Sequence, residues 1–292
     1  MKRRLLRSVL AAAVALAAVT VTASCSSPPA PAAASYYLAL GDSLSRGVQP
    51  DAAGSSVETR QGYPDLVYAR LLGAHPGLKL VQLGCPGETT ETMMHGGICR
   101  YPGGSQLAAA AAFLRSHRGH VLLVTIDIGA NDLESCGSQP SLTQLASCIG
   151  KIPGAAANLS AILASVRAAA GPGVPVIGMS YYLPALAEWR SGELGHTIAE
   201  VAERLAVAYN DVLDRAYTQV GDTVANVFGT FDTTDFGDPT TVPGIGTLPR
   251  NVALICKWTW ECAPPPRGPN QHANPAGYQV IADAILKAAR LS

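Results

Sequence analysis

Apolar and polar positions follow one another along the chain in blocks that predict alternating strands and helices. Short apolar runs without strict alternation are typical of strands buried on both faces of a parallel sheet. These predicted strands are Tyr36–Leu40, Lys79–Leu83, Val121–Ile128, Val174–Met179 and Thr223–Phe228. The helical patterns between them cover Tyr63–Ala74, Gln106–His117, Ala155–Ala170, Thr197–Val220 and Pro275–Leu291. This alternation predicts a doubly wound, three-layer α/β fold around a five-stranded, mostly parallel sheet.

One long stretch, Gly229–Asn274, departs from this alternation. It is rich in Pro, Gly and Thr and has few helix or strand signals. A structureless stretch of this length is uncommon in a compact domain unless it is functional or pinned. We therefore expect an irregular segment that a disulfide between Cys256 and Cys262 pins in part.

The N-terminus has the pattern of a targeting segment. Met1–Arg7 holds four cations, and Ser8–Ala23 is almost entirely small and apolar. This pattern indicates a secretion signal, because the apolar run is too short to span a membrane. Thr22–Cys25 resembles a bacterial lipobox in which Cys25 would carry a lipid, and ordinary signal cleavage is the alternative. The predicted organisation is a signal peptide (1–24), a Ser/Pro/Ala tether (25–35) and one domain (36–292).

Cysteine usage agrees with export. Besides Cys25, six cysteines form three local pairs along the chain: Cys85 with Cys99, Cys136 with Cys148, and Cys256 with Cys262. Several connectivities are possible, and we favour sequential pairing because each partner lies nearby. A zinc site is disfavoured, since the Cys and His spacings of such sites are missing.

Charge argues against a nucleic-acid partner. Four of the 21 Lys and Arg residues, but none of the 21 Asp and Glu residues, lie in the signal. The remaining chain therefore has 17 cations against 21 anions, and it contains no basic run. Such a surface lacks the electrostatic footprint of a nucleic-acid binder. The glycine-containing loops also lack phosphate-binding spacing, so we expect no nucleotide, metal or other cofactor.

Three predicted strands end in turns that carry chemically useful groups. The turns are Gly-Asp-Ser-Leu with Ser43, Gly-Cys-Pro-Gly-Glu-Thr with Gly87, and Gly-Ala-Asn-Asp with Asn131. In a parallel sheet these turns meet at one edge. A hydroxyl, a backbone N–H and an amide are what acyl transfer requires as nucleophile and oxyanion donors. For Ser43 alone, a helix cap is the simpler alternative.

A base is available near the C-terminus. Five of the six histidines lie in helical or loop segments without an acid-rich or metal-binding pattern. His272 instead lies in Pro-Asn-Gln-His, just before a helix that begins at Pro275. It is the candidate general base.

These blocks, in this order, resemble the GDSL hydrolases of the SGNH class over essentially the whole mature chain. The resemblance implies a flavodoxin-like fold, with Ser43 as nucleophile and His272 as general base. It also implies an oxyanion hole made of the Ser43 and Gly87 N–H groups and the Asn131 side chain. The three disulfides resemble those of secreted actinobacterial members. Ser45 breaks the Gly-x-Ser-x-Gly pattern of α/β-hydrolases, which agrees with the GDSL resemblance.

One position departs from the family pattern. Family members commonly carry Asp three residues before the catalytic His, where this chain has Pro269. We predict that the Pro269 carbonyl orients His272 instead. The competing hypothesis is a displaced carboxylate from the long segment, with the candidates Asp232, Asp235 and Asp238.

The leading functional hypothesis is an exported serine esterase or lipase that hydrolyses carboxylic esters through an acyl-Ser43 intermediate. Its substrate would be an ester-bearing small molecule or lipid, and its only membrane contact a lipid anchor at Cys25. The alternatives are an acyltransferase of the cell envelope and a non-catalytic envelope binding protein on the same fold.

Several further polar and aromatic residues flank the predicted site. We expect Asp42 and Asp132 to fix their turns through backbone N–H groups rather than to act in catalysis. Tyr181 and Tyr182 line an acyl pocket or pack against a helix. Trp258 and Trp260 form a wall of the cleft or pack beside a disulfide. The sequence leaves these last two alternatives open.

Overall fold

The structure is a computed structural model that describes residues 35–136 and 141–291, with residues 134–136 described by their backbone alone. The predicted signal peptide, the predicted lipidation site Cys25 and the predicted tether up to residue 34 lie outside the described residues. The same holds for the side chain of Cys136, and therefore for its predicted bridge to Cys148.

The described chain is built around a five-stranded sheet. The strands are β1 (Ser35–Gly41), β2 (Gln49–Pro50), β3 (Ser56–Val57), β4 (Leu78–Gln82), β5 (Val121–Asp127), β6 (Val176–Met179), β7 (Thr223–Ala225), β8 (Pro239–Val242) and β9 (Gly246–Pro249). The central sheet has the order β4-β1-β5-β6-β7, and each neighbouring pair is parallel. The prediction of a doubly wound, parallel five-stranded sheet is confirmed. Strands β2–β3 and β8–β9 form two small antiparallel pairs.

Helices cover both faces of this sheet. They are α1 (Tyr63–Leu71), α2 (Thr90–His95), α3 (Gln106–Ser116), α4 (Leu142–Ile149), α5 (Ile152–Ala170), α6 (Glu193–Gln219), α7 (Val227–Thr230), α8 (Arg250–Trp258) and α9 (Pro275–Ala289). Two 3₁₀ helices cover Ala130–Cys136 and Pro184–Ser191. Helix α1 packs against α9, while α5 packs against both α3 and α6. These two groups of helices, α1 with α9 and α5 with α3 and α6, form the two outer layers around the sheet.

The core lies between these layers and the sheet. Leu38 and Leu40 of β1 and Val124 and Ile126 of β5 are fully buried, as the continuous apolar runs predict for central strands. Helix α5 is long and apolar enough to cross a membrane by length and composition. In this fold it packs between α3 and α6, and its inner face contributes to the core.

The expectation of an irregular segment over Gly229–Asn274 was wrong in part. The segment contains the β8–β9 hairpin and helix α8. Helix α8 buries its residues from Asn251 to Ile255 against the rest of the domain. Its apolar positions at 252, 254, 255 and 258 carry a helical period that the surrounding Pro and Gly residues obscure.

Two of the three predicted disulfides lie within the described side chains. Cys85 is bonded to Cys99, and Cys256 is bonded to Cys262. The second bridge joins the end of α8 to the segment that leads toward His272.

Candidate active site

Ser43 lies at the carboxyl edge of the sheet, in the turn that directly follows β1. Its Oγ is 3.0 Å from Nε2 of His272, although the two residues are 229 positions apart in the chain. The neighbouring strand β5 ends at the same edge, since Gly41 is in register with Asp127. Because β4 and β5 lie on opposite sides of β1, the site occupies the point where a doubly wound sheet reverses its strand order.

Asp42 fixes the conformation of this turn. Its Oδ1 accepts a hydrogen bond from the Leu44 N–H at 3.0 Å, and its carbonyl accepts one from the Ser45 hydroxyl at 2.7 Å. Gly41 has a φ of 129°, and a Cβ there would lie 2.2 Å from the Asp127 carbonyl oxygen. The turn is therefore held by local hydrogen bonds, and the strand can approach β5 only because residue 41 is Gly. This agrees with the turn-fixing role that we predict for Asp42.

Gln106 holds the same turn from the other side, a role that no local sequence pattern indicates. This fully buried side chain at the start of α3 accepts from the Gly41 N–H at 2.7 Å and donates to the Gly41 carbonyl at 2.9 Å. It also donates to Glu88 at 2.9 Å. The amide of Gln106 therefore bonds both backbone groups of Gly41, whose carbonyl also accepts the Cys85 N–H at 3.0 Å.

A buried pair of carboxyl groups lies beneath the nucleophile. Asp127 accepts the Tyr63 hydroxyl on Oδ1 at 2.5 Å and the Ser45 N–H on Oδ2 at 3.0 Å. Asp42 Oδ2 is buried and has no hydrogen-bond partner among the described residues. Burial raises the pKa of both carboxyls, and the negative charge of Asp42 raises the pKa of Asp127 further. Two like charges this close and this buried are costly, so the pair retains a proton.

The Gly87 turn lies next to Asn131. The Glu88 N–H donates to the Cys85 carbonyl at 3.1 Å and closes a turn with Pro86 and Gly87 at its centre, where Gly87 has a φ of 81°. These features define a type II turn, which favours Gly at this position. Within the described residues, the Gly87 N–H has no hydrogen-bond partner.

Asn131 is oriented by that same turn. Its Nδ2 donates to the Glu88 carbonyl at 2.9 Å, which leaves a second amide hydrogen. The following residue, Asp132, accepts the N–H and the hydroxyl of Thr90 at 2.9 and 2.5 Å. Asp132 thus ties the 3₁₀ helix that carries Asn131 to the start of α2, as the turn-fixing prediction for this residue implies.

The loop that carries His272 is anchored through its backbone. The Trp260 N–H donates to the His272 carbonyl at 3.0 Å, and the Tyr182 hydroxyl donates to the Gln271 carbonyl at 3.0 Å. Asn274 caps α9 by accepting the N–H groups of the first helical turn at 3.0 Å. The backbone of the base is therefore held between a helix cap and the segment that follows β6.

The predicted orienting role of the Pro269 carbonyl is corrected by the structure. His272 Nδ1 lies 2.8 Å from Oδ1 of Asn270, and the same oxygen accepts the His272 N–H at 3.1 Å. An Asn whose side chain accepts the N–H two residues later forms an Asx turn, which brings this oxygen to the ring. The carboxylate alternative fails as well, because no hydrogen bond joins His272 to Asp232, Asp235 or Asp238 within the described residues. Asp232 pairs with Arg250, and Asp235 accepts backbone N–H groups of its own loop.

These contacts define the protonation state of His272. Since Asn270 Oδ1 accepts the backbone N–H, it is an acceptor for Nδ1 as well, and Nδ1 carries the ring hydrogen. Nε2 then accepts from the Ser43 hydroxyl. Burial lowers the pKa of His272 to about 4, because desolvation disfavours the imidazolium. The imidazole is therefore neutral and able to take a proton at neutral pH.

A cavity of about 150 Å³ opens beside Ser43, Asn131 and His272. Tyr181 and Tyr182 line it, in agreement with the pocket alternative for these residues. Among the described residues, neither Trp258 nor Trp260 belongs to its lining. Trp258 packs edge-on against Phe231 at 5.0 Å, and the Trp260 ring nitrogen donates to Gln49.

The arrangement contains the parts of an acyl-transfer site: a hydroxyl, a neutral base within hydrogen-bond distance, and amide donors nearby. Within residues 35–136 and 141–291, no group of three or more His, Cys, Asp or Glu side chains is placed to hold a metal ion.

Comparison with known proteins agrees with this chemistry. The model of the GDSL-like lipase/acylhydrolase family matches residues 39–280, which is most of the chain. The chain belongs to this family. It is a carboxylic ester hydrolase. No curated protein matches the chain.

Solved structures share the fold at low sequence identity. An acetylxylan esterase from Geobacillus stearothermophilus is 16% identical, with a TM-score of 0.52, over 88% of this chain and 95% of that one. An extracellular lipase from Streptomyces rimosus is 21% identical, with a TM-score of 0.44, over 77% of this chain and 99% of that one. At 16% identity and a TM-score of 0.52, the likeness to the acetylxylan esterase concerns the fold, an α/β architecture with a central parallel sheet.

Proposed function

We propose that the protein is an exported serine esterase that forms an acyl-enzyme on Ser43 with His272 as general base. The observation that carries the proposal is the 3.0 Å contact between Ser43 Oγ and His272 Nε2 at the mouth of an apolar cavity. The lowered pKa of His272 supports it, because a base must be neutral to accept the serine proton.

The reaction proceeds in two halves. Ser43 Oγ attacks the ester carbonyl while His272 Nε2 takes its proton, and the tetrahedral oxyanion forms. The intermediate collapses to acyl-Ser43 and an alcohol, which receives the proton from His272. Water then attacks the acyl-enzyme and gives a proton to His272, and the departing Ser43 oxygen recovers that proton as the acid leaves.

Three donors are proposed to hold the oxyanion: the backbone N–H groups of Ser43 and Gly87 and the Asn131 amide. The free Gly87 N–H and the anchored Asn131 side chain support this role. Preorganised donors of this kind are worth about 10² to 10³ in rate each.

Asn270 is proposed as the positioning residue for the base. It fixes the imidazole tautomer and ring orientation, as a carboxylate does in a Ser-His-Asp triad, but it adds no negative charge. Stabilisation of the imidazolium in the transition state therefore rests on dipoles alone.

Export and lipid anchoring form part of the proposal and rest on the sequence pattern around Cys25. Metabolic labelling with radioactive palmitate should mark the wild type and not the Cys25→Ser variant, which should be released from the membrane fraction. Equal release of both proteins would favour ordinary signal cleavage.

The catalytic proposal is tested with p-nitrophenyl esters and a fluorophosphonate. Wild type should hydrolyse esters and carry a single phosphonate adduct on Ser43, and Ser43→Ala should lose both properties. Ser116→Ala, an exposed serine on α3, is the matched control and should behave as wild type. Full activity in Ser43→Ala would overturn the proposal.

A further inference from the structure

The cavity beside Ser43 continues into a wall formed by α4 and α6. Leu145 of α4 and Ala202 of α6 line it, and both belong to an apolar cluster that is separate from the main core. Leu205 and Ala206 of α6 line it as well. Apart from Asp42 and His272 at the catalytic end, the described lining side chains carry no charge. This wall is therefore suited to an apolar group.

Most polar side chains in the lining are already satisfied by backbone groups. Asn210 accepts the Tyr181 N–H at 2.7 Å and donates to the carbonyls of Tyr181 and Ala206 at 3.2 and 3.0 Å. The Tyr209 hydroxyl donates to the Gly129 carbonyl at 2.8 Å. A polar ligand atom placed against these residues would lose its bonds to water without gaining others.

Besides Asp42 Oδ2, the Tyr181 hydroxyl is an exception. It is buried and has no hydrogen-bond partner among the described residues. Burial raises the pKa of this hydroxyl, and its electrostatic interaction with the Asp42 and Asp127 carboxyl groups raises it further. The residues of the α4–α6 wall, Leu145, Ala202, Leu205 and Ala206, carry no polar side-chain group.

The size of the cavity limits what it can hold. Ala202 and Ala206 are four residues apart on α6, so their methyl groups lie on the same side of the helix. Any larger side chain at either position would occupy the cavity. Its volume of about 150 Å³ is comparable to that of protein cavities that hold a six-carbon ring.

We infer that this cavity is the acyl-chain pocket for esters of medium-chain acids of about six carbons, with Ala202 and Ala206 setting its depth. The inference rests on the proposed esterase function. An acetyl group leaves most of the apolar wall uncovered, while a palmitoyl chain would extend beyond the cavity.

Initial rates on p-nitrophenyl acetate, butyrate, hexanoate and palmitate test this inference. The value of kcat/KM should rise about fourfold for each methylene up to hexanoate, because each buried methylene gains transfer free energy. The hexanoate-to-acetate ratio should therefore reach about 250, and palmitate should fall below hexanoate.

Substitutions in the wall should change this ratio. In Ala202→Leu and in Ala206→Leu the hexanoate-to-acetate ratio of kcat/KM should fall at least about tenfold, since each variant fills the pocket. Ala208→Leu is the matched control, because Ala208 lies on the same helix and is exposed. Leu145→Ala enlarges the pocket and should move the optimum to a longer chain, which keeps the test decisive if a leucine variant fails to fold.

Two kinds of failure are distinguishable. The acyl pocket would be overturned by a flat chain-length profile, or by a profile that none of the wall variants changes. If hydrolysis still depended on Ser43 in that case, the proposed function would remain intact. Absence of hydrolysis and of a phosphonate adduct in the folded protein would remove the proposed function itself, and the pocket with it.

Discussion

Replacing Asn270 by Asp should change the pH dependence of the reaction in a direction that the geometry predicts. The side-chain oxygen lies 2.8 Å from His272 Nδ1, so the variant places an anion beside the ring without changing its shape. Two unit charges about 4 Å apart interact by about 4 kcal/mol at an effective dielectric constant of about 20. Because Asn270 is half-buried and solvent screens part of this interaction, we expect the pKa of His272 to rise by about two units.

The pKa of His272 would then rise from about 4 to about 6. Since the base must be neutral, the acid limb of kcat/KM should move upward by the same amount, and activity at pH 5 should fall about tenfold relative to pH 8. At pH 8 the variant should equal or exceed wild type, because the anion stabilises the imidazolium.

The measurement is a pH profile of kcat/KM on p-nitrophenyl butyrate from pH 4 to 9. Asn270→Ala is the companion variant. It loses the orientation without adding charge, so kcat should fall about 10²-fold. An acid limb that stays in place in Asn270→Asp would refute the positioning role of this residue, whatever happened to the rate.

Three other predictions concern the site and the stability of its surroundings. Asn131→Ala should lower kcat about 10² to 10³-fold with little change in KM, and an unchanged kcat would exclude Asn131 as an oxyanion donor. Asp42→Asn should keep or raise Tm at pH 8, because it removes a buried charge whose Oδ2 has no hydrogen-bond partner among the described residues, and its Oδ1 still accepts the Leu44 N–H. Asp127→Asn should lower Tm, because one of the two acceptor oxygens becomes a donor facing an N–H group; equal melting of the two variants would contradict this. His272 has its folded-state pKa lowered from 6.5 to about 4, so wild type should lose about 3 kcal/mol of stability as pH falls from 6.5 to 4. Urea titrations of His272→Gln at the same pH values should lack this loss, and a parallel decline in both proteins would assign it elsewhere.

The parts of the fold that the sequence predicts are those encoded locally. Continuous apolar runs mark β1 and β5 because both faces of these strands are buried. Turns that follow such strands are predictable too, so the pattern around Ser43 is enough to assign this residue to the sheet edge. The position of His272 near a helix start is likewise a local signal, since Asn274 and Pro275 are typical of that start.

The residues that were missed depend on contacts between distant segments. In the sequence, nothing distinguishes Gln106 from other amide side chains, because its role depends on α3, which places it against Gly41, 65 positions earlier. Asp127 ends an apolar run, and its partner Tyr63 belongs to a helix on another part of the chain. Asn270 was missed for another reason: the family pattern directs attention three residues before the His, whereas an Asx turn uses the residue two before it.

Nucleophile and base come from opposite ends of the domain, yet several contacts join their surroundings. Gln49 bonds Trp260, Ser56 bonds Asn270, and the Tyr278 hydroxyl bonds the Val48 carbonyl. Contacts between residues so far apart in the chain form slowly, because a long loop must close, at a cost in conformational entropy, before the contacts stabilise the fold. Esterase activity should therefore be among the last signals to return during refolding, after circular dichroism has recovered. Under the proposed export, this delay means that the chain crosses the membrane before it can attack an ester, and that it becomes reactive only once its last helix has docked.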